Sequence, residues 1–412
     1  MISPENVGMS SERLARIRPV VEQHIGDDKI VGAVLLVARR GEVVDQECVG
    51  LMDRERRKPM QPDTIFRIYS MAKPITSVAM MVLYERGYFQ LFDPVSKFIP
   101  AFNDLKVCAG GSASDPELVD LERPVTIRDL LTHTSGLTYH FWEYGAVEKM
   151  YRETRLWSNV PLAELVADLL QLPLAFQPGT AWRYSVSYDV LAYLVETMSG
   201  QDYDVFLHRN LFEPLGMLDT GFFVPESKLE RFAAMYGSSD LMEPEMTFSE
   251  WYRGAAEGIN RPLADAEESL ESGPHHILRG GHGLVSTAPD YLRFCRMLLN
   301  QGEMNGTRIL SRKTVELMTV NHLASGLLPF EMAGWPFQGY GYGLGVDVLM
   351  DIAQAQTLGS NGVYSWAGIA GTRFWVDPQE KLIGILMIQF QPGGYHPVAN
   401  HFRVAAYQSI AD

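Results

Sequence analysis

The stretch Phe66-Arg67-Ile68-Tyr69-Ser70-Met71-Ala72-Lys73-Pro74-Ile75-Thr76-Ser77-Val78-Ala79-Met80-Met81-Val82-Leu83 is almost wholly apolar after Lys73. Ile75, Val78, Ala79, Val82 and Leu83 mark one helical face, while Met71, Ala72, Met80 and Met81 fill much of the rest. A helix that is apolar nearly all round is buried on most sides. Gly87 supplies the stop expected just past a last helical turn. The polar residues sit at the start: Ser70, Lys73 and Ser77 follow a three-then-four spacing that sets them on one stripe. A hydroxyl and an ammonium are therefore expected together at the N-terminal mouth of a buried helix.

That placement has chemical content. A serine hydroxyl is a weak nucleophile unless a base stands beside it. A lysine of ordinary pKa, about 10.4, is a poor base until its charge is disfavoured. Burial and the positive end of a helix dipole both act in that direction, and Lys73 is placed to feel both. A lysine can equally lay its stem on apolar surface and keep its head in water. Ser-x-x-Lys alone does not decide between the two; the apolar helix favours the chemical reading.

The remainder of the chain sets the bounds. Its 412 residues allow a large core and two domains. Hydrophobic residues make up 46% and charged ones 21%, as in a soluble globular protein. A net charge of −15 argues against nucleic acid or an anionic membrane as a partner. Met1-Ile2-Ser3-Pro4-Glu5-Asn6 has neither a basic region nor an apolar run, and no stretch is long enough to span a bilayer. Cys48, Cys108 and Cys295 are too few and too scattered for a disulfide framework. A cytoplasmic location is the expectation.

In chain order, a helix is expected over Leu14 to His24. The β-branched runs Val31–Ala38 and Glu42–Gly50, joined through Arg39-Arg40-Gly41, predict a hairpin. Ala109–Pro116 reads as a flexible loop. Thr126 with Asp129 predicts a capped helix over Ile127 to His133, and further helices are expected at Leu162–Leu170, after Tyr184-Ser185, at Pro289–Gln301 and at Ser311–Met318. The signal from Glu226 to Gly281 is weak and points to irregular structure or a flap. Gly339–Val348 alternates with period two and reads as a single strand; no helix follows its glycines, which excludes a dinucleotide fingerprint. Gly371–Val376 and Lys381–Ile388 predict a second hairpin, and a last helix spans Ala399 to Ile410. Strands at both ends with helices between predict an α/β (α+β) two-domain fold. Residues 1–95 with 281–412 would form an antiparallel sheet flanked by helices, and 96–280 an inserted, mainly helical domain. The helix after Ser70 would lie at the junction, where ligand pockets are favoured.

Ser70-Met71-Ala72-Lys73 resembles the Ser-x-x-Lys motif of the serine β-lactamase and penicillin-binding protein superfamily. Leu130-Leu131-Thr132-His133-Thr134-Ser135-Gly136-Leu137, Phe212-Glu213-Pro214-Leu215-Gly216-Met217 and Gly281-His282-Gly283-Leu284-Val285-Ser286-Thr287-Ala288 are similar to segments of its class C-like branch. Tyr184-Ser185-Val186 stands where that branch has Tyr-x-Asn, and Trp366-Ala367-Gly368 where it has Lys-Thr-Gly. Together these motifs imply the β-lactamase/DD-peptidase-like fold from about Val31 to Met387. Two hallmarks differ: Val186 replaces the asparagine and Trp366 the lysine. Trp-x-Gly is typical of the family VIII carboxylesterases, which usually have Trp-Gly-Gly, so Ala367 is a small deviation. Losing the lysine removes a cation that could hold a substrate carboxylate, and the indole favours an apolar, uncharged group.

The resemblance implies an acyl-enzyme on Ser70, a proton accepted or shared by Lys73, and a phenol relay at Tyr184. It implies an oxyanion hole from the backbone N–H groups of Ser70 and Ile369, and a substrate surface at Trp366, Ala367 and Gly368. Tyr184 can act in this way if the charge of Lys73 favours its phenolate, and the sequence leaves open which of Lys73 and Tyr184 is the base. The expected activity is hydrolysis of short-chain carboxylic esters, with a small-molecule ester as partner and no cofactor. The alternatives with the same nucleophile are a β-lactamase, a D-alanyl peptidase or an acyltransferase, and behind them a non-catalytic ligand-binding relative. Tyr188 reads as packing and His133 as a hydrogen-bonded structural histidine. His275-His276, His396 and His401 lack metal-ligand spacing, so no metal is expected. No Gly-x-Ser-x-Gly elbow is present. Arg373 would substitute for the missing cation if its side chain reaches the cleft.

Overall fold

The computed structural model describes residues 2–154 and 158–412. Its centre is an eight-stranded antiparallel sheet. The strands are β1 (Gly32–Arg39), β2 (Glu42–Asp53), β3 (Lys58–Pro59), β4 (Tyr340–Tyr342), β5 (Asp347–Leu349), β6 (Tyr364–Ala367), β7 (Arg373–Asp377) and β8 (Leu382–Met387), in the order β4-β5-β6-β7-β8-β1-β2-β3. The two expected hairpins are β1–β2 and β7–β8. They meet where β1 runs beside β8, Val34 opposite Met387 and Arg39 opposite Leu382. The sheet is thus built from both ends of the chain.

Strand alternation divides the core in two. Ala33, Leu35, Val37, Trp375 and Leu386 face one side, where α1 (Ile17–Gly26) and the C-terminal helix Val398–Tyr407 cover them. Val34, Leu36, Phe374, Ile383 and Ile385 face the other and join the larger cluster around α2 (Ala72–Glu85). Gly384 sits opposite Trp375, and a Cβ there would lie 2.1 Å from the indole, so glycine at this position makes room for the ring.

α2 is buried along its first twelve residues, from Ala72 to Leu83, as its all-round apolarity requires. It packs against α5 (Ser187–Ser199), which also contacts α3 (Ile127–Leu131) and α4 (Leu162–Leu169). The capping box predicted from Thr126 and Asp129 is present: the Thr126 hydroxyl accepts the Asp129 N–H, and the Asp129 carboxylate accepts the Thr126 N–H. α6 (Ala288–Leu299), the short helix Arg312–Met318 capped by Ser311, and α7 (Val398–Tyr407) complete the expected helices, with α6 lying on the α2 face of the sheet. No helix among the described residues is long and apolar enough to cross a membrane.

Three local expectations need correction. Gly339–Val348 is a tight hairpin, not one strand: β4 and β5 are joined by a turn closed by the Gly343 N–H on the Val346 carbonyl. The turn contains Gly345 at φ 93°, where a Cβ would lie 2.3 Å from Ser77 Oγ. Ala109–Pro116 lies in a hairpin, Lys106–Ser112 with Asp115–Asp120, whose register shifts at Ala109. It is largely exposed on both faces, so no apolar alternation marks it. Finally, Glu226–Gly281 is not wholly irregular. Met235–Gly237 pairs with both Arg261–Ala264 and Phe390–Gln391, and Phe248–Ala256 is a helix capped by Thr247.

Candidate active site

Ser70 lies in a 3-10 turn, Tyr69–Met71, that leads directly into α2. The preceding Tyr69 has φ 43°, a left-handed conformation that is unfavourable for a bulky residue. Its surroundings hold it there. The Ile68 N–H donates to the Leu284 carbonyl at 3.0 Å and Thr372 Oγ1 donates to the Ile68 carbonyl at 3.2 Å. Gln391 Nε2 donates to the Tyr69 hydroxyl at 3.2 Å. Ser70, 6% exposed, is thereby presented at the floor of a cavity.

Lys73, one α-helical turn on, is fully buried. Its Nζ lies 3.3 Å from Ser70 Oγ, 3.3 Å from the Tyr139 hydroxyl and 2.8 Å from the Gly281 carbonyl. Burial lowers its pKa to about 7, against the opposing charge of Asp189. A neutral amine has two N–H donors and one lone pair. The Gly281 carbonyl can only accept and takes one N–H. A lone pair and one N–H remain for the Ser70 and Tyr139 hydroxyls, so Ser70 can hand its proton to Nζ. The Gly281 peptide is itself fixed, because its N–H donates to Asp189 Oδ1 at 2.9 Å.

Tyr184 places its hydroxyl within hydrogen-bonding reach of Ser70 and accepts from Trp366 Nε1 at 3.4 Å. Its ring lies under Lys73 Nζ, 4.4 Å from the centroid. Burial pushes its pKa well above the ordinary tyrosine value, so the phenolate expected from the charge of Lys73 is not favoured: Tyr184 stays a phenol. Tyr188 turns away and donates its hydroxyl to the Leu131 carbonyl at 2.8 Å. His133 is fully buried, with Nδ1 at 3.1 Å from Ser185 Oγ and its ring 4.7 Å from that of Tyr184. Burial holds it neutral, so it buttresses Tyr184 as a packing group.

Across the cavity, β6 ends at Ala367 and the chain turns through Gly368-Ile369. The Gly368 N–H is used on the Thr372 carbonyl at 2.8 Å. The N–H groups of Ser70 and Ile369 donate to no described residue. Both residues line the same cavity. A Cβ on Gly368 would come within 2.5 Å of the Ile68 carbonyl, so glycine allows this turn to close against the segment carrying Ser70.

This arrangement has relatives. Residues 17–408 match the Beta-lactamase family. The chain is 33% identical over 365 residues to protein Rv1367c of Mycobacterium tuberculosis, covering 88% of this chain and 86% of that one. It is 30% identical over 410 residues to esterase EstB of Burkholderia gladioli, covering 96% and 94%. The solved structure of EstCE1, described as a hydrolase with promiscuous acyltransferase activity, superimposes with a TM-score of 0.78 at 29% identity, over 96% of this chain and 99% of that one. The chain belongs to the beta-lactamase family.

The cavity beside Ser70 is strongly aromatic in lining. The volume is about 420 Å³, and Phe141, Trp142, Phe248, Trp251, Tyr252 and Trp335 join Tyr184 and Trp366 around it. Arg373 and the buried Asp347 also line this cavity. No group of three or more His, Cys, Asp or Glu side chains that could hold a metal ion occurs among the described residues. His275 Nε2 bonds the Phe222 carbonyl at 2.8 Å, and His401 Nδ1 lies 3.1 Å from His24 Nε2.

Ser70, Lys73, Tyr184, Trp366, Ala367, Gly368 and Ile369 are all brought together. Sequence reasoning missed Tyr139, Asp189 and the role of the Gly281 peptide, as well as the aromatic helix Phe248–Ala256. The aromatic run Tyr139-His140-Phe141-Trp142 directly after Ser135-Gly136-Leu137 was the available signal for Tyr139.

Proposed function

We propose that this protein hydrolyses carboxylic esters through an acyl-enzyme on Ser70. The observation that carries the proposal is the contact of Ser70 Oγ with a buried Lys73 amine whose pKa is about 7, at the floor of an aromatic cavity. Neutral Lys73 takes the Ser70 proton as Oγ bonds to the ester carbonyl carbon. The oxyanion is met by the N–H groups of Ser70 and Ile369. The Tyr184 phenol passes a proton to the departing alkoxide as the ester C–O bond breaks and is reprotonated from Lys73. In the second half water adds to the acyl carbon, gives its proton back along the same path, and releases the acid and the Ser70 hydroxyl.

Trp366 and the aromatic walls favour short, uncharged esters over substrates that need a carboxylate-binding cation on β6. The naming of EstB as an esterase supports the same reading. Acyl transfer to an alcohol is the second reading. It is favoured by the apolar walls, which solvate an alcohol better than water, and by the description of EstCE1 as a hydrolase with promiscuous acyltransferase activity. The test is intact-mass measurement after mixing with p-nitrophenyl butyrate. One butyryl group should appear on the wild type and none on Ser70→Ala, which should also lose turnover while keeping its circular dichroism. Turnover in Ser70→Ala above about a hundredth of wild type would remove Ser70 from the mechanism.

A further inference from the structure

Two buried glutamines reach the nucleophile turn from the chain that follows β8. Gln389 brackets the Arg67 backbone: its Oε1 accepts the Arg67 N–H at 3.0 Å and its Nε2 donates to the Arg67 carbonyl at 2.9 Å. Gln391 is fully buried and joins more distant parts. Its Oε1 accepts the Leu241 N–H at 3.1 Å and the Trp251 Nε1–H at 3.2 Å. Its Nε2 donates to the Tyr69 hydroxyl at 3.2 Å and to Asp240 Oδ1 at 2.9 Å. An amide side chain offers two lone pairs and two N–H donors, and here all four are used. The partners also fix which way the amide points, because turned over its NH2 would face two N–H donors. A buried network met in full is rigid.

The backbone of the same segment holds the opposite turn. The Phe390 N–H donates to the Ala370 carbonyl at 2.9 Å, and the Gly393 N–H to the Ile369 carbonyl at 2.7 Å. The two turns that carry the Ser70 and Ile369 N–H groups are thus both anchored on residues 389–393. Tyr69 is the strained link in this arrangement. Its φ of 43° is one that a bulky residue keeps only under restraint, and the peptide after it carries the Ser70 N–H. Rotation at Tyr69 re-aims that N–H relative to the Ile369 N–H. Leu241 and Trp251, the other partners of Gln391, line the aromatic cavity.

We propose that Gln391 is a positioning residue. It sets the Ser70 N–H relative to that of Ile369 and ties this placement to Trp251 in the aromatic wall. The catalytic consequence rests on the proposed acyl-enzyme; the link from Trp251 to the Ser70 peptide does not. An N–H that meets developing negative charge stabilises the transition state more than the bound ester, so its misplacement lowers kcat and spares KM.

A double-variant cycle on p-nitrophenyl butyrate tests this. Tyr69→Phe deletes the hydroxyl that Gln391 holds, and Trp251→Phe deletes the indole N–H. Tyr69→Phe should lower kcat about tenfold, the scale of one hydrogen bond, with KM within about twofold of wild type. Trp251→Phe should lower kcat about threefold, since Gln391 keeps its other partners. Together they should cost about tenfold and not about thirtyfold, because independent sites multiply to within about twofold. Gln391→Met should lose at least as much as Tyr69→Phe, and adding Tyr69→Phe to it should change nothing further. If Gln391→Met fails to fold, the first cycle decides. Effects that multiply, or melting temperatures lowered with kcat unchanged, overturn the proposal. Amide hydrogen exchange of the peptide spanning residues 66–75 supplies a readout that needs no chemistry. It should quicken in Tyr69→Phe and in Trp251→Phe alike. Exchange indifferent to Trp251→Phe overturns the link even where turnover persists. No ester turnover in the wild type, with exchange responding to both variants, would sink the hydrolase reading and leave the link standing.

Discussion

Asp189 reaches Lys73 through a single peptide: the Gly281 N–H donates to Asp189 Oδ1 at 2.9 Å, and the Gly281 carbonyl accepts from Lys73 Nζ at 2.8 Å. The carboxyl fixes the carbonyl that orients the amine, and its charge raises the pKa of Lys73 against the larger effect of burial. If Lys73 must be neutral to act, kcat/KM should rise with pH and level off above about 7. Asp189→Asn keeps an acceptor for the Gly281 N–H but removes the charge, so the limb should move to lower pH. A limb that stays in place would mean that Asp189 carries no charge in the free enzyme.

The same burial has a stability signature. The unfolded chain holds the Lys73 proton up to an ordinary pKa near 10.5, whereas the folded protein releases it near 7. Between those values the unfolded state binds more protons, so this group makes stability rise with pH across that window. Below about pH 7 the full penalty of burying the charge remains. Lys73→Met should therefore raise the urea midpoint at pH 6, and the gain should shrink by pH 10. An equal gain at both pH values would place the charge in water.

Tyr184→Phe should lose at least about two orders of magnitude in kcat, the scale of a general acid–base contribution. Tyr188→Phe should leave kcat near wild type and cost about 1 kcal/mol of stability, because it removes a buried bond to the Leu131 carbonyl. Steady-state rates beside thermal melts separate the two effects. Damage to turnover at position 188 and not at 184 would reverse the assignment.

Substrate choice follows from Trp366. Its indole donates to the Tyr184 hydroxyl, at the position where the resemblance would put a lysine. We expect kcat/KM for a short p-nitrophenyl ester to exceed that for a chromogenic cephalosporin by at least about a hundredfold, since a missing charged partner commonly costs one to three kcal/mol or more. Trp366→Lys should narrow the gap. Equal efficiency on both would point to Arg373, which reaches the cavity from β7, as the substitute cation.

What could be read from the sequence was local. Ser70 and Lys73 are one turn apart, the β1–β2 and β7–β8 hairpins are carried by β-branched runs, and Thr126 caps Asp129 three residues on. Tyr139 and Gly281 meet Lys73 from 66 and 208 residues away, and no periodicity encodes such a meeting. The hairpin Lys106–Asp120 escaped because exposed strands need no apolar alternation. The β4–β5 turn escaped because Gly345 is required by the approach of Ser77, on another element.

The pairing of Val34 with Met387 also governs when the sheet can close. β1, buried along its whole length and apolar up to Arg39, leaves the ribosome early with β2 on one side and an open edge on the other. That edge stays open until β8 has been synthesised, because hydrogen bonds at such sequence separation form late. An exposed apolar strand edge invites pairing with other chains. Nascent copies should therefore depend on slow translation or chaperone shielding, and recombinant yield should respond more to growth temperature than the stability of the finished fold would suggest.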